Sequence, residues 1–413
     1  MSVEITRLPS GLRIVSESRK SIQTVAVGVW VDIGARHEPE HLNGITHCLE
    51  HMLFKGTNRR SARDIAFEIE AVGGHMNAYT SRDNTTYYAR VMKDDMELAL
   101  DLLSDIVLNS TCSEAELTRE KEVILQEIGQ AVDTPDDIVF DHLQTAAYGK
   151  QQAIGRTILG EPETVRALSA DDLRKYLKGN YTAPNIVISA VGNLEHADLV
   201  RMVEEKFAGL GGGQATVTEP ALYTGGRFTE KRDLEQVHIA AAWSGCSFTD
   251  PDYYAYQIYS TILGGGMSSR LFQEVREERG LAYSIYSFTS SHKDTGIFGI
   301  YAGTGTDMAQ GMMPVIQREM ESVAKGPTDQ EFLIAKAQLK SGLMMALEAT
   351  TSRMEQLGRQ ILVFDRILPI DEMIGNVDAV EKAHVAEIAG RIVSSNSTSV
   401  AIIGDGNLDS ITF

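Results

Sequence analysis

The residues in this chain best equipped for chemistry are His47, Glu50 and His51, in the run Asn43-Gly44-Ile45-Thr46-His47-Cys48-Leu49-Glu50-His51-Met52-Leu53-Phe54-Lys55-Gly56. The spacing predicts a helix. Ile45, Cys48, Leu49, Met52 and Leu53 recur at helical intervals on one apolar face. His47, Glu50, His51 and Phe54 form a second face. Asn43 is expected to cap the start and Gly56 to close the end in a left-handed turn. Two imidazoles one turn apart can grip one metal ion, and the carboxylate beside them can polarise a bound water. Zinc needs a third protein ligand and an open position. Another oxygen or nitrogen must therefore come from elsewhere in the chain.

A second H-x-x-E-H run, His37-Glu38-Pro39-Glu40-His41, is read as a decoy. Pro39 in its middle opposes a helix, and no apolar face accompanies it.

The elements that must position the helix can be read in order. Thr24 to Ile33 is β-rich. After the metal helix come a helix over 62–72 and two strands, 75–80 and 85–92. Met96 to Leu108 is amphipathic. Ser113-Glu114-Ala115-Glu116 is a capping box that opens a long helix toward Ala131. Helices are expected over 136–147, 170–177 and 198–207, with a buried strand over 186–191. Gly211 to Tyr223, with three glycines and Pro220, has the composition of a linker.

The order then repeats. Val237 to Trp243 resembles Val25 to Trp30, and Thr328 to Glu331 opens a long helix as Ser113 to Glu116 does. Pro39 and Pro251 are 212 residues apart, Ser113 and Thr328 are 215 apart, and Gly192 and Gly404 are 212 apart. Near-constant offsets at three anchors indicate two homologous halves of one α+β fold. The expected division is a catalytic half over 1–210, a linker over 211–223 and a homologous half over 224–413. In the second half Tyr259, Ile262 and Leu263 stand where His47, Glu50 and His51 stood, so only the first half can hold a metal there.

The long helix from Ser113 carries several acids that qualify as the third ligand. Glu120 and Glu127 are seven apart and share a face beside Ile124 and Ile128. Their counterparts at the offset of 215 are Ala335 and Gly342, so the acids vanish where the histidines vanish. Spacing leaves the choice among the acids open.

The Gly44 to Thr57 stretch, Gly73-Gly74-His75-Met76-Asn77-Ala78-Tyr79-Thr80-Ser81-Arg82 and Glu120-Lys121-Glu122-Val123-Ile124-Leu125-Gln126-Glu127 resemble the pitrilysin family of zinc metallopeptidases. The likeness is greatest to its processing-peptidase branch and the bacterial relatives of that branch, and it covers essentially the whole chain. It implies a zinc endopeptidase with one Zn2+ per chain on His47, His51 and Glu127. By the same likeness Glu50 is the general base and Glu120 an outer carboxylate that orients the site. Arg276-Glu277-Glu278-Arg279-Gly280-Leu281-Ala282-Tyr283 resembles the family's Arg and Tyr pair, so Arg276 and Tyr283 are expected to meet the substrate. The alternative for them is a salt bridge and a core tyrosine. Phe54 either packs or lines the pocket for the residue after the cut. Asp137 and Asp141 either meet a basic residue near the cut or form an acidic surface. Asn77, Ala78 and Tyr79 lie on a strand that can pair with an extended substrate. Cys48 departs from the family's larger apolar residue and is expected to pack.

Composition sets bounds on partners. The 413 residues are 43% apolar and 23% charged, an ordinary globular balance, with a formal charge of −19. That charge argues against nucleic acid and favours a basic substrate, or serves solubility alone. Three scattered cysteines, Cys48, Cys112 and Cys246, fit a reducing compartment. No signal peptide or membrane span is read from the sequence, so the expectation is a cytoplasmic bacterial protein, or a mitochondrial matrix protein if processed. Long family members carry four such units, so a chain of two is expected to form a homodimer, or a heterodimer with an inactive homologue. Two other classes share the fold: a non-catalytic structural subunit and a module that captures peptides without cutting them. The intact ligand set argues against the first.

Overall fold

The structure is a computed structural model that describes residues 2–412. It divides into two compact units. One holds the chain up to Gly129, then Thr157–Glu219 and Met345–Ile367. The other holds Gln130–Arg156, Pro220–Met344 and the chain from Leu368.

The first unit is built on a six-stranded mixed sheet. Its strands are β1 (Val3–Arg7), β2 (Arg13–Ser18), β3 (Thr24–Val31), β4 (His75–Thr80), β5 (Thr85–Met92) and β6 (Ile186–Gly192), in the order β1-β2-β6-β3-β5-β4. Only β2 and β6 run parallel within it. The central strands are apolar on both faces because both faces are covered. On one face lie α1 (Ile45–Leu53), α2 (Ala62–Ala71), α3 (Met96–Asn109) and α4 (Glu114–Val132), joined by α6 (Pro162–Ala167), α7 (Ala170–Asn180) and α8 (His196–Lys206). The other face is covered by α12 (Thr350–Phe364), whose Met354, Leu357 and Ile361 pack on Val15, Ala26, Trp30, Val187 and Val191. Gly358 is required there, since a Cβ would lie 2.5 Å from the Trp30 ring.

The second unit repeats the plan with five strands: β7 (Gly226–Lys231), β8 (Val237–Ser244), β9 (Ser284–Ser291), β10 (Gly296–Thr304) and β11 (Ser399–Gly404). Their order, β7-β11-β8-β10-β9, is that of β2-β6-β3-β5-β4, and the parallel pair is again the first. Around them lie α9 (Tyr253–Gly264), α10 (Thr306–Ala324), α11 (Asp329–Glu348), α13 (Ile370–Ala379) and α14 (Lys382–Val393). The helix α5 (Pro135–Tyr148) covers the remaining face, with Val139, Leu143 and Ala147 on Ala240, Ala242, Ala401 and Ile403.

The expected boundaries at 210 and 224 therefore miss an exchange. Helix α5 follows α4 in the first half yet belongs to the second sheet, and α12 follows α11 in the second half yet belongs to the first. Each sheet has an apolar outer face that needs a covering helix, and each half's own chain leaves that face open. The stretch 211–225 has neither helix nor strand, as its composition predicts.

A buried ion pair fastens α12. Arg353 Nε donates to Glu17 Oε2 at 2.7 Å, with both side chains 4% exposed, and Arg19 meets the other oxygen at 2.7 Å. Burial raises the Glu17 pKa, but the hydrogen bonds and charges of Arg353 and then Arg19 outweigh it and leave the carboxyl below its usual range. Removing Arg353 leaves a buried carboxylate with Arg19 alone to match it. Arg353→Met should cost roughly 3 kcal/mol, read as a lower urea midpoint for loss of first-sheet structure. Adding Glu17→Met should recover much of that loss, and no recovery would mean the pair does more than neutralise charge.

Candidate metal centre

The helix α1 is shorter than its sequence pattern, and its start is held differently. Gly44 takes the N-cap position with φ of 94° and has no side chain to offer. Asn43 does not cap it. Glu38 does: Oε2 accepts from Gly44 N at 2.8 Å and Asn43 Nδ2 at 2.9 Å, and Oε1 accepts from Thr46 N at 2.8 Å. A carboxylate at a helix N-terminus satisfies free amides and the helix dipole together. Burial pushes Glu38 up to about 7, while Thr46, Gly44 and Asn43 pull it down. The decoy run is no helix; it forms two single turns, Ala35–His37 and Glu40–Leu42, either side of Glu38 and Pro39. Gly44 also needs to be glycine, since a Cβ would lie 2.8 Å from Gly160 Cα. At the far end α1 stops at Leu53, and Gly56 adopts φ of 127°.

With its apolar face sealed into the core, α1 turns His47 and His51 toward α4. The two rings lie edge to face with centroids 4.7 Å apart. Glu127 Oε2 lies 3.4 Å from His51 Nε2 and 3.7 Å from His47 Nε2. One ligand atom from each of the three residues falls within 4.8 Å of the others, and this is the one such cluster among the described residues. Two imidazole nitrogens and a carboxylate oxygen are the donor set that zinc takes in open sites. Glu127 is 39% exposed, so the cluster has an open side.

Glu120, two turns earlier on α4, faces the other side of His51. Its Oε2 lies 3.2 Å from His51 Nδ1, and its Oε1 lies 2.8 Å from Lys55 Nζ. An ionised carboxylate can only accept, so where Glu120 accepts from His51 Nδ1, the other ring nitrogen, Nε2, faces Glu127 and could serve as a ligand atom. His47 has no such partner: its Nδ1 is buried without a hydrogen bond among the described residues. Burial, and then the neighbouring His51, push the His47 pKa down to about 4. The imidazole is therefore neutral near pH 7, as a metal ligand must be.

Glu50 lies one turn from His47 on the same helix, near enough to His51 and Glu127 for their charges to act on it. Thr80 Oγ1, at the end of β4, donates to its Oε2 at 2.6 Å. Burial raises the Glu50 pKa above the usual carboxylate range, against the hydrogen bond from Thr80. A half-desolvated carboxylate within one helical turn of the histidines is suited to take up a proton.

The remaining expected residues fall in three places. Phe54 lines a cavity of about 520 Å³ with Ile65, Ile69, Gly74 and Met76, between α2 and β4. Asn77, Ala78 and Tyr79 lie on β4, which among the described residues pairs with β5 alone and is the open edge of the sheet. Asp137, Asp141, Arg276 and Tyr283 belong to the second unit. Asp137 is exposed in the first turn of α5, and Asp141 is half-buried one turn on. The Arg276 guanidinium lies over the Phe272 ring at 4.6 Å and the Tyr283 ring at 5.8 Å. Tyr283 is 76% exposed, which removes the reading as a core tyrosine. Cys48 is fully buried in the core, and burial pushes its thiol up to about 12. Sequence reasoning missed Glu38, Lys55 and Thr80, whose roles depend on contacts distant in the chain.

Residues 13–161 match the family model for insulinase (peptidase family M16), and residues 167–339 match that for the peptidase M16 inactive domain. The chain is 39% identical over 403 residues to an uncharacterized zinc protease of Bacillus subtilis, across 97% of this chain and 98% of that one. It is 38% identical over 418 residues to a probable mitochondrial-processing peptidase subunit beta of Arabidopsis thaliana, across 97% and 78% of the two chains. The human mitochondrial-processing peptidase subunit beta is 35% identical over 413 residues, across 97% and 84%. A crystal structure of a peptidase M16 inactive domain from Pseudomonas fluorescens superposes with a TM-score of 0.91 over 98% of this chain and 99% of that one. At 22% identity that likeness speaks for the fold. Among the described residues no helix is long and apolar enough to cross a membrane.

The depressed His47 fixes a pH dependence for the metal-free protein. Its folded pKa of about 4 lies below the ordinary 6.5, so the unfolded chain binds the proton more readily. Stability contributed by neutral His47 is present above pH 6.5 and lost as pH falls toward 4. Chemical denaturation of chelator-treated protein should show this slope, and His47→Asn should flatten it. An unchanged slope in the variant would assign the effect to other groups.

Proposed function

This chain belongs to the insulinase family of peptidases, M16, and on that premise we propose that it is a zinc-dependent endopeptidase acting on peptides or extended protein segments. The observation that carries the reading is the convergence of His47, His51 and Glu127, with His51 Nδ1 tied to Glu120. His47, His51 and Glu127 would hold one Zn2+. When bound, zinc acidifies a coordinated water and polarises a carbonyl.

The chain's own residues would do the rest. Glu50 would take a proton as general base and hand it to the leaving amine. Glu120, paired with Lys55, would keep His51 in the ligating tautomer. The β4 edge at Asn77, Ala78 and Tyr79 would accept an extended chain by strand addition. Phe54 and its cavity would receive the side chain after the cut. Asp137 and Asp141 would favour a basic residue near the cut. Arg276 and Tyr283 would contact the substrate backbone and, through the phenol, the developing oxyanion. The working form would be a dimer, with itself or with an inactive homologue.

Metal and base should separate cleanly. Wild type should carry one zinc per chain, and chelator should abolish cleavage of a mixed peptide library. Glu50→Gln should keep the zinc and lose at least roughly 10²–10⁴-fold in rate, whereas Glu127→Gln should lose the zinc. Library cut sites should be enriched in Arg or Lys shortly before the bond, and Asp137→Asn with Asp141→Asn should erase that enrichment. An active, zinc-free protein would overturn the proposal.

Assembly is tested by mixing. Glu50→Gln chains and Arg276→Ala/Tyr283→Phe chains should each be inactive. Activity that returns on co-expression, with differential tags confirming mixed dimers, would assign Arg276 and Tyr283 to the partner's substrate. Mixed dimers that stay inactive would assign them to their own chain.

A further inference from the structure

The open edge of the first sheet ends at the candidate base. Ser81 N donates to Asn84 O at 2.8 Å, which closes the β4–β5 hairpin with a bonded pair. Antiparallel pairs alternate between bonded and non-bonded. Tyr79 opposite Thr86 and Asn77 opposite Tyr88 are then the bonded pairs. The backbone groups of Met76, Ala78 and Thr80 therefore turn away from β5 toward the open edge. Ala78 N already donates to the side-chain oxygen of Asn77 at 2.8 Å, an exposed contact that an incoming carbonyl can replace. Thr80 is spoken for. Its hydroxyl donates to Glu50 Oε2 at 2.6 Å, and its amide also faces that carboxylate. Glu50 is thus the last acceptor in the row of edge groups that an added strand would use.

We propose that Thr80 is a positioning residue that couples strand addition on the β4 edge to Glu50, so that longer extended substrates are cut faster in the chemical step and not merely held more tightly. The proposal rests on Glu50 being the base and β4 the substrate edge. Its physical ground is that an edge strand has hydrogen bonds on one side only and is held less firmly than strands paired on both sides. A chain paired along Met76 and Ala78 holds the strand from its other side. That hold reaches Thr80, two residues on, and through it the orientation of the Glu50 carboxylate. Binding energy from residues remote from the cut then appears in kcat.

The test uses full-length zinc-loaded protein and one cleavable peptide from a library digest, resynthesised in nested lengths on both sides of the cut. In wild type, kcat should rise with length on at least one side. Thr80→Val, nearly isosteric, should keep zinc content and KM for the longest peptide. It should lower kcat by roughly 10–100-fold, the loss of a hydrogen bond to a charged group, and should flatten its dependence on length. Thr80→Ser should restore both. The proposal is overturned if length changes only KM in wild type, or if Thr80→Val keeps the wild-type kcat. Glu50→Gln in the same assay separates the two levels: full activity there sinks the role of the base, while its inactivity beside a fully active Thr80→Val sinks only the coupling.

Discussion

Helix α1 has to serve two environments at once, and much of the first unit follows from that constraint. One face carries Ile45, Cys48, Leu49, Met52 and Leu53 into the core with almost no exposure. The other keeps two imidazoles and a carboxylate at the boundary of that core, with His51 beside Glu120 and Glu50 held by Thr80. A helix only nine residues long cannot hold itself in such a place by propensity. It is held by Glu38 at its start and by α4 beside it. The carboxylates are shared out by direction. Glu120 is spent on Lys55 and the far nitrogen of His51, Glu127 faces the near nitrogens, and Glu50 is turned to the strand edge.

The duplicated architecture explains why so much chain surrounds so small a site. Each half supplies a sheet, and each sheet has two apolar faces. The half's own helices cover one face, and the other is covered by a helix from the opposite half of the sequence. Neither half can therefore be cut out at the linker and keep both faces dry. The buried pair of Glu17 and Arg353 sits at this exchange, joining residues 336 apart in the chain.

What could be read from the sequence was what repeats locally. The spacing of His47, Glu50 and His51 is a helical interval, and the acids of α4 share a face by the same rule. The strands 75–80 and 85–92 match β4 and β5 because their turn residues and alternation are local too. The misses are tertiary. Asn43 has the right chemistry and place for a cap, yet the left-handed Gly44 redirects the chain and lets Glu38 reach the amides. Thr80 lies thirty residues from Glu50 and Lys55 lies sixty-five from Glu120, so no periodicity links them. Helices α5 and α12 carry ordinary amphipathic patterns that say which face is apolar and not which sheet it covers.

The second unit shows what the same scaffold does where His47, Glu50 and His51 have no counterparts. At the place of His47 stands Tyr259, fully buried and packed on Phe298 with ring centroids 4.7 Å apart. At the place of Glu120 stands Ala335, 1% exposed, where no buried carboxylate has to be matched with a lysine and an imidazole. The exchange is incomplete, because the Tyr259 hydroxyl is buried with no hydrogen-bond partner among the described residues. Burial accordingly pushes its phenol far above the ordinary range. Apolar packing has replaced a charged network at that position, and one orphaned hydroxyl costs far less than unpaired carboxylates would in the same place. The contrast between the halves is therefore physical as well as compositional. The first half retains Glu120, matched with Lys55 and His51, and His47, whose burial favours the neutral ring.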